Sequence, residues 1–188
     1  MLIGSNNSLT YLRPSTWWSK ILRWFGKCQS VSYEKQYMNY GVRLFDIKLY
    51  TNEYNHVIIK NGRFKYRIFS FYEVLDFFNR MGDVTVLLTL DETEALHDVE
   101  YKFVDVCNMA QTIYPNIMFC GGYRTFDKKR LFEFEYERKN GMPKMVDGCN
   151  TSWLNRILPF SSSFTNRSKI ESHTASDGFV MLNFVNRR

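Results

Sequence analysis

The sequence predicts one α/β domain over residues 1–188, built as a small or incomplete (β/α) barrel of the TIM type. Three observations carry this expectation. The apolar pattern switches repeatedly between period two and period 3.6, as alternating strands and helices require. One segment, VTVLLTLDE at 84–92, is apolar almost throughout, as befits a parallel strand covered on both faces. The strands also end in polar residues, and the C-terminal strand ends are where such barrels keep their sites. At 188 residues the chain is shorter than the roughly 200 or more that these barrels use, so helices on one side must be reduced or the barrel left incomplete.

The elements follow in order. Residues 1–4 are a short apolar lead into a polar turn, Ser5 to Ser8. Residues 15–27 (STWWSKILRWFGK) place Trp18, Ile21, Leu22 and Phe25 on one helical face, with Gly26 as the stop. A second helix starts at Ser32 as N-cap and ends at Gly41. VRLFDIKLY, 42–50, alternates so that Phe45, Ile47 and Leu49 share one face and Leu44, Asp46 and Lys48 the other. HVIIK, 56–60, is the next strand and runs into the turn Asn61-Gly62. Ser70 and Glu73 form a capping box ahead of a helix whose stripe is Phe71, Val74, Leu75, Phe78 and Met81. After the apolar strand at 84–92, residues 94–114 are helical and stop at Pro115, IMFCGG (117–122) is a strand, and GFVMLNFVN (178–186) is the last one. Residues 123–176 are too irregular for firm assignment.

Composition narrows the function classes. A hydrophobic fraction of 45% and an aromatic fraction of 17% suffice for one substantial core and not for two ordinary domains. No apolar stretch approaches the ~20 residues of a membrane-spanning helix, and MLIGSNNSLT lacks the basic start and apolar middle of a signal peptide. The expectation is a soluble chain without visible export, cytoplasmic or virion-associated. A net charge of +6 favours phosphates or an anionic membrane surface as partners, and no nucleic acid is expected. Cys28, Cys107, Cys120 and Cys149 form no Cys-x-x-Cys pair, so they are read as reduced, mostly buried thiols. His56, His97 and His173 lie at no ligand spacing from one another, which excludes a His-based metal cluster.

Five segments in order resemble the catalytic barrel, or X domain, of phosphatidylinositol-specific phospholipase C. IGSNNSLTY stands where that family has a Gly-Thr/Ser-His-Asp/Asn-Ser turn, and QSVSYEKQYMNYGVRLFDIKLY is similar to its Gln-rich helix and the strand after it. VIIKNG stands where the family has apolar residues and then His-Gly. SFYEVLDFFNRMGDVTVLLTLDE is similar to its helix and third strand, and FVMLNFVN to its closing strand. The resemblance implies the phospholipase C-like phosphodiesterase fold.

It also implies a chemistry that this sequence cannot perform in the family's way. There, one histidine deprotonates the inositol 2-hydroxyl, which attacks the phosphorus, and a second protonates the leaving diacylglycerol oxygen; imidazoles serve because both groups must titrate near neutrality. The matching positions here are Asn6 and Asn61, and the aspartate that orients the first histidine is matched by Asn183. Amides exchange no proton at any accessible pH. Asp46 is unchanged, and Lys48 replaces a phosphate-contacting arginine with a point charge that lacks the bidentate fork. Asn7, Asp46 and Asp91 resemble part of the oxygen-only calcium site of the calcium-dependent members, although Lys48 stands where those members have another carboxylate. His56 begins the strand that ends at Asn61 and is placed at the opposite end of the barrel; His97 falls on a helix and His173 in a polar loop.

Trp18 fits helix packing. Trp17 and Trp24, seven apart on the other flank beside Lys20 and Arg23, suit an interfacial membrane contact. The resemblance implies the same, since in bacterial members the short helix after the first strand helps dock on the bilayer. The first reading is therefore a pseudoenzyme without a cofactor, binding a phosphate-containing small molecule or phospholipid headgroup through Asn6, Asn7, Asp46, Lys48 and Asn61. The second is a phosphodiesterase or lyase using calcium at Asn7, Asp46 and Asp91. A third is a structural component of a larger assembly of phage or bacterial origin, with protein partners unknown.

Overall fold

The computed structural model describes residues 2–51, 57–62, 64–66, 71–90, 97–124, 130–147, 159, 166–172 and 178–186. Its elements run β1 (Leu2–Ser5), α1 (Trp17–Ile21), α2 (Arg23–Gly26), α3 (Tyr33–Tyr40), β2 (Val42–Thr51), β3 (Val57–Asn61), β4 (Phe64–Tyr66), α4 (Phe71–Met81) and β5 (Thr85–Leu90). Then come α5 (His97–Ile113), β6 (Met118–Arg124), β7 (Arg130–Phe132), α6 (Glu135–Asn140), β8 (Met145–Asp147), α7 (Asn166–Glu171) and β9 (Phe179–Leu182).

The strand order β7-β6-β5-β2-β1-β9-β8 identifies the architecture. Strands β6, β5, β2, β1, β9 and β8 are all parallel neighbours, and the first strand pairs with the last. Read as a circle from β1, they follow chain order, as barrel strands do; an open doubly wound sheet would reverse direction at its middle. The open edges are β7, antiparallel to β6, and β8, so the barrel is not closed among the described residues. This is the small, incomplete barrel that the chain length predicts.

The alternation of β2 sorts its faces as expected. Phe45, Ile47 and Leu49 join the main core under α3, α4 and α5, where the Phe45 and Phe78 rings lie 4.3 Å apart. Leu44 turns into the barrel and packs with Phe179 and Met181 as an apolar floor. Gly4 lies beside that floor, where a Cβ would meet the end of the flexible Met181 side chain. Ser32 is the N-cap of α3 and Gly41 its left-handed C-cap at φ 63°, matching the expected helix ends.

Three expectations need correction. Residues 15–27 do not form one helix with a buried apolar face. The chain breaks at Leu22 into α1 and α2, and Trp17, Trp18, Ile21, Leu22 and Phe25 are all exposed. The excursion is tied to the body at its ends, by Ser15 N–H to the Lys65 carbonyl at 2.9 Å and by Gly26 lying against Phe64, while these apolar side chains between them stay exposed. Second, β3 is antiparallel to β2 and makes a hairpin with β4, which removes the basis for placing His56 at the far end of the barrel; His56 itself lies outside the described residues, as do Ser70, Cys149 and His173. Third, the last strand stops at Leu182, and residues 183–186 turn over the barrel end, with Phe184 at φ 50°.

Candidate functional site

Three of the parallel strands supply the mouth, two from the residues just past their ends and one from within its length. Asn6 follows β1, Asn183 follows β9, and Asp46 and Lys48 project from β2 above the Leu44 floor. The antiparallel course of β3 brings Asn61 back toward the same place.

These side chains are wired together. Asn6 Nδ2 donates to Asn183 Oδ1 at 2.8 Å, and Asn7 Nδ2 donates to Asn6 Oδ1 at 3.3 Å. Asn7 adopts φ 45°, a left-handed conformation that asparagine tolerates, and this aims its backbone N–H at Asp46 Oδ2, 3.0 Å away. Asn61 Nδ2 donates to the Gly26 carbonyl at 2.9 Å and lies 3.6 Å from Cys28 Sγ. Asn183 Nδ2 donates to the Pro159 carbonyl at 3.2 Å. Asn6, Lys48 and Asn61 are half-buried and form the rim, while Asn7, Asp46, Cys28 and Asn183 are buried beneath them.

Cys28 is the residue that sequence reasoning missed as a site member. The residue is 2% exposed, and its sulfur also accepts from Asn7 Nδ2 at 3.5 Å. Burial pushes its thiol up to about 12; the Asn7 hydrogen bond and the Lys48 charge oppose this, and Asp46 adds to it. Burial likewise raises the Asp46 carboxyl above the ordinary carboxylate value, with the Lys48 charge and the Asn7 N–H opposing. The thiol is therefore protonated at neutral pH. It reaches the site because the segment Gly26–Cys28 lies across the mouth, where the Tyr66 hydroxyl donates to the Gly26 carbonyl at 2.7 Å.

Two buried glutamines hold the strand ends. Gln29 Nε2 donates to the carbonyls of Asn6 and Leu182 at 3.1 and 2.8 Å, and its Oε1 accepts from Val185 N–H at 3.1 Å. Gln36 Oε1 accepts from Ser5 Oγ at 2.6 Å, and its Nε2 donates to the Ser8 and Val31 carbonyls. No periodicity marks these residues, because polar positions read as solvent-facing. Their signal is confined to the segment QSVSYEKQ that carries the family resemblance.

Of the expected metal set, Asn7 and Asp46 are neighbours. Asp91 lies outside the described residues, and no group of three or more His, Cys, Asp or Glu placed to hold a metal occurs within them. Asn7 Oδ1 is buried without a partner, which suits an oxygen ligand. One amide oxygen and one carboxylate beside an ammonium fall short of the roughly six to eight oxygens that calcium takes.

The expected membrane residues divide. Trp17 and Trp18 are each 59% exposed and stack at 3.9 Å, so Trp18 is not a packing residue; Lys20 is exposed beside them. Arg23 and Trp24 fall on α2, where the backbone alone is described. No helix among the described residues is long and apolar enough to cross a membrane.

No family model matches this sequence, and no curated protein matches it. Solved structures do. Over all of this chain and 92% of the other, it is similar to the phosphatidylinositol-specific phospholipase C from Listeria monocytogenes, at 12% identity and a TM-score of 0.59. A mutant of the phosphatidylinositol-specific phospholipase C from Staphylococcus aureus matches 97% of this chain over 84% of its own, at 11% identity and a TM-score of 0.60. A further structure of the Staphylococcus aureus protein, titled for modulation of its membrane binding, matches at 11% identity with a TM-score of 0.57 over 97% of this chain and 85% of its own. With the cyclic strand order, these likenesses establish that the chain has the fold of the bacterial phosphatidylinositol-specific phospholipases C.

Proposed function

We propose that this protein is a phospholipase C-like barrel that has lost phosphodiester cleavage and binds a phosphate-bearing headgroup at the barrel mouth, at or near a membrane surface. One observation carries the reading: Asn6 and Asn183, which the sequence resemblance matches to the family's base and its orienting carboxylate, meet as a neutral amide pair at 2.8 Å. Neither can hold or release the proton that the reaction requires, and among the described residues the carboxyl of Asp46 and the thiol of Cys28 are buried below them. The Lys48 ammonium, whose charge acts on Asp46 and Cys28 at this mouth, and the half-buried Asn6 and Asn61 amides suit a phosphate better than a cation. The exposed Trp17, Trp18, Ile21, Leu22 and Phe25 form an apolar ridge beside Lys20, the composition of an interfacial contact.

The test is release of a phosphate product from phosphatidylinositol, with and without calcium, alongside thermal unfolding with inositol phosphate. The expected result is no turnover under either condition, and stabilisation that Lys48→Ala removes. The unpartnered Asn7 Oδ1 beside Asp46 supports a second reading, a calcium-assisted phosphodiesterase that also uses Asp91. Calcium-dependent turnover lost in Asp91→Ala would establish it.

A further inference from the structure

Of the ten large apolar side chains that stand exposed among the described residues, five form the α1–α2 ridge and three lie on α5. The three are Tyr101, Met109 and Ile113, at 74%, 45% and 52% exposure. With the exposed Asp105 they make a row spaced four residues apart, which runs about 18 Å along the helix. Phe103, Cys107 and Ala110 face the core from the other side of α5, so the row is a second face of the helix. Both patches are exposed in the single chain, so neither covers the other within one copy.

The two patches differ in charge. Residues 13–26, the excursion, carry three cations and no carboxylate. Residues 91–105, the first half of α5 and the stretch before it in sequence, carry six carboxylates against Lys102 alone. Carboxylates in the first turn of a helix suit the positive end of its macrodipole, but Asp105 sits about two turns in, between Tyr101 and Met109. On the ridge, the exposed Lys20 has the corresponding place beside the stacked Trp17 and Trp18 rings.

We propose that the acidic, apolar face of α5 is the docking site for the aromatic ridge of a second copy of this chain. The ridge buries its rings against Tyr101, Met109 and Ile113, and Lys20 faces Asp105. Apolar burial supplies the affinity, and the opposite charges select the pairing and its direction. A second copy is the occupant because every chain carries both halves, whereas ridge against ridge or α5 against α5 would oppose like charges. The contact is heterologous, so copies add head to tail into a ring or a filament. It uses no residue of the mouth and stands or falls apart from headgroup binding, but it competes with a membrane for the ridge.

The experiment follows the mass of the full chain by sedimentation velocity as concentration rises, for the wild type, for a ridge variant (Trp17→Ala with Trp18→Ala) and for an α5 variant (Tyr101→Ser with Met109→Ser). The wild type is expected to grow beyond dimers in the micromolar range, and each variant to raise the Kd at least about tenfold. Mixing the two variants is decisive: the intact α5 of one receives the intact ridge of the other, so the mixture is expected to give dimers and nothing larger. Asp105→Lys is expected to weaken association and Lys20→Glu in the same chain to restore it, which separates a lost contact from a damaged fold. A wild type that stays monomeric up to about 1 mM overturns the proposal, and so does an α5 variant that associates as the wild type does. The α5 variant is expected to pellet with anionic vesicles at least as well as the wild type; loss of that binding would place α5 in the membrane contact and overturn the pairing.

Discussion

The backbone N–H of Asn7 donates to Oδ2 of Asp46 across 3.0 Å, and the Ser8 N–H donates to the Asp46 carbonyl at 2.7 Å. The turn after β1 is thereby clamped to the middle of β2. Because burial raises the Asp46 carboxyl in the folded protein, its contribution to stability is full below the ordinary value of 3.8 and is lost as pH rises through the folded value. Asp46→Asn keeps an acceptor for Asn7 and removes the buried charge, so at neutral pH it is expected to be at least as stable as the wild type. Asp46→Ala orphans the Asn7 N–H and is expected to cost about 1–3 kcal/mol in urea unfolding. If Asp46→Asn proves the costlier change, the attraction between Asp46 and Lys48 outweighs desolvation.

Gly26 has no room for a side chain, since a Cβ would come 2.4 Å from two carbons of the Phe64 ring. Gly26→Ala is expected to lift the segment that covers the mouth, at a cost of about 1–3 kcal/mol from overpacking. Labelling of Cys28 by a thiol reagent in the native state would then accelerate. A variant with unchanged stability and unchanged labelling would mean that the Phe64 ring yields instead.

The Cys28 thiol makes an alkaline prediction. Its folded value of about 12 stands above the unfolded value of 9.0, so its contribution is intact below 9.0 and is lost as pH climbs toward 12. Cys120 shifts in the same direction, to about 12. Cys28→Ala should therefore lessen the fall of stability with pH in that window without abolishing it. Denaturant midpoints measured at several alkaline pH values read the slope directly, whatever the variant's absolute stability.

The aromatic ridge gives a membrane prediction. Trp17→Ala with Trp18→Ala removes the two most extended rings of the patch and is expected to weaken pelleting with anionic vesicles by at least about tenfold. Tryptophan emission of the wild type should shift to the blue on vesicle addition. Equal pelleting of wild type and variant would assign the ridge to another partner.

The proposed loss of catalysis is testable against its cause. Absence of a general acid or base typically costs about 10² to 10⁴ in rate, and if Asn6 and Asn61 stand at both positions, turnover on phosphatidylinositol is expected to sit at background. Turnover on the order of 1 per second would require proton transfer by a group other than these amides and would favour the calcium-assisted reading.

The sequence by itself determined what depends on short stretches of chain. Period two placed Leu44, Asp46 and Lys48 on one face of β2, the nearly continuous apolar run of β5 announced a parallel strand covered on both faces, and Ser32 and Gly41 mark the ends of α3, because side-chain alternation and helix capping are settled within a few residues. Only the tertiary structure decided the direction of β3, the exposure of Trp18 and the place of Cys28. A five-residue apolar strand reads the same in either direction, and an apolar stripe is buried only if some surface remains to receive it. Cys28, Gln29 and Gln36 take their roles from strand ends that are up to 156 residues distant in sequence, as in the bond between Gln29 and Val185, so no local pattern could mark them.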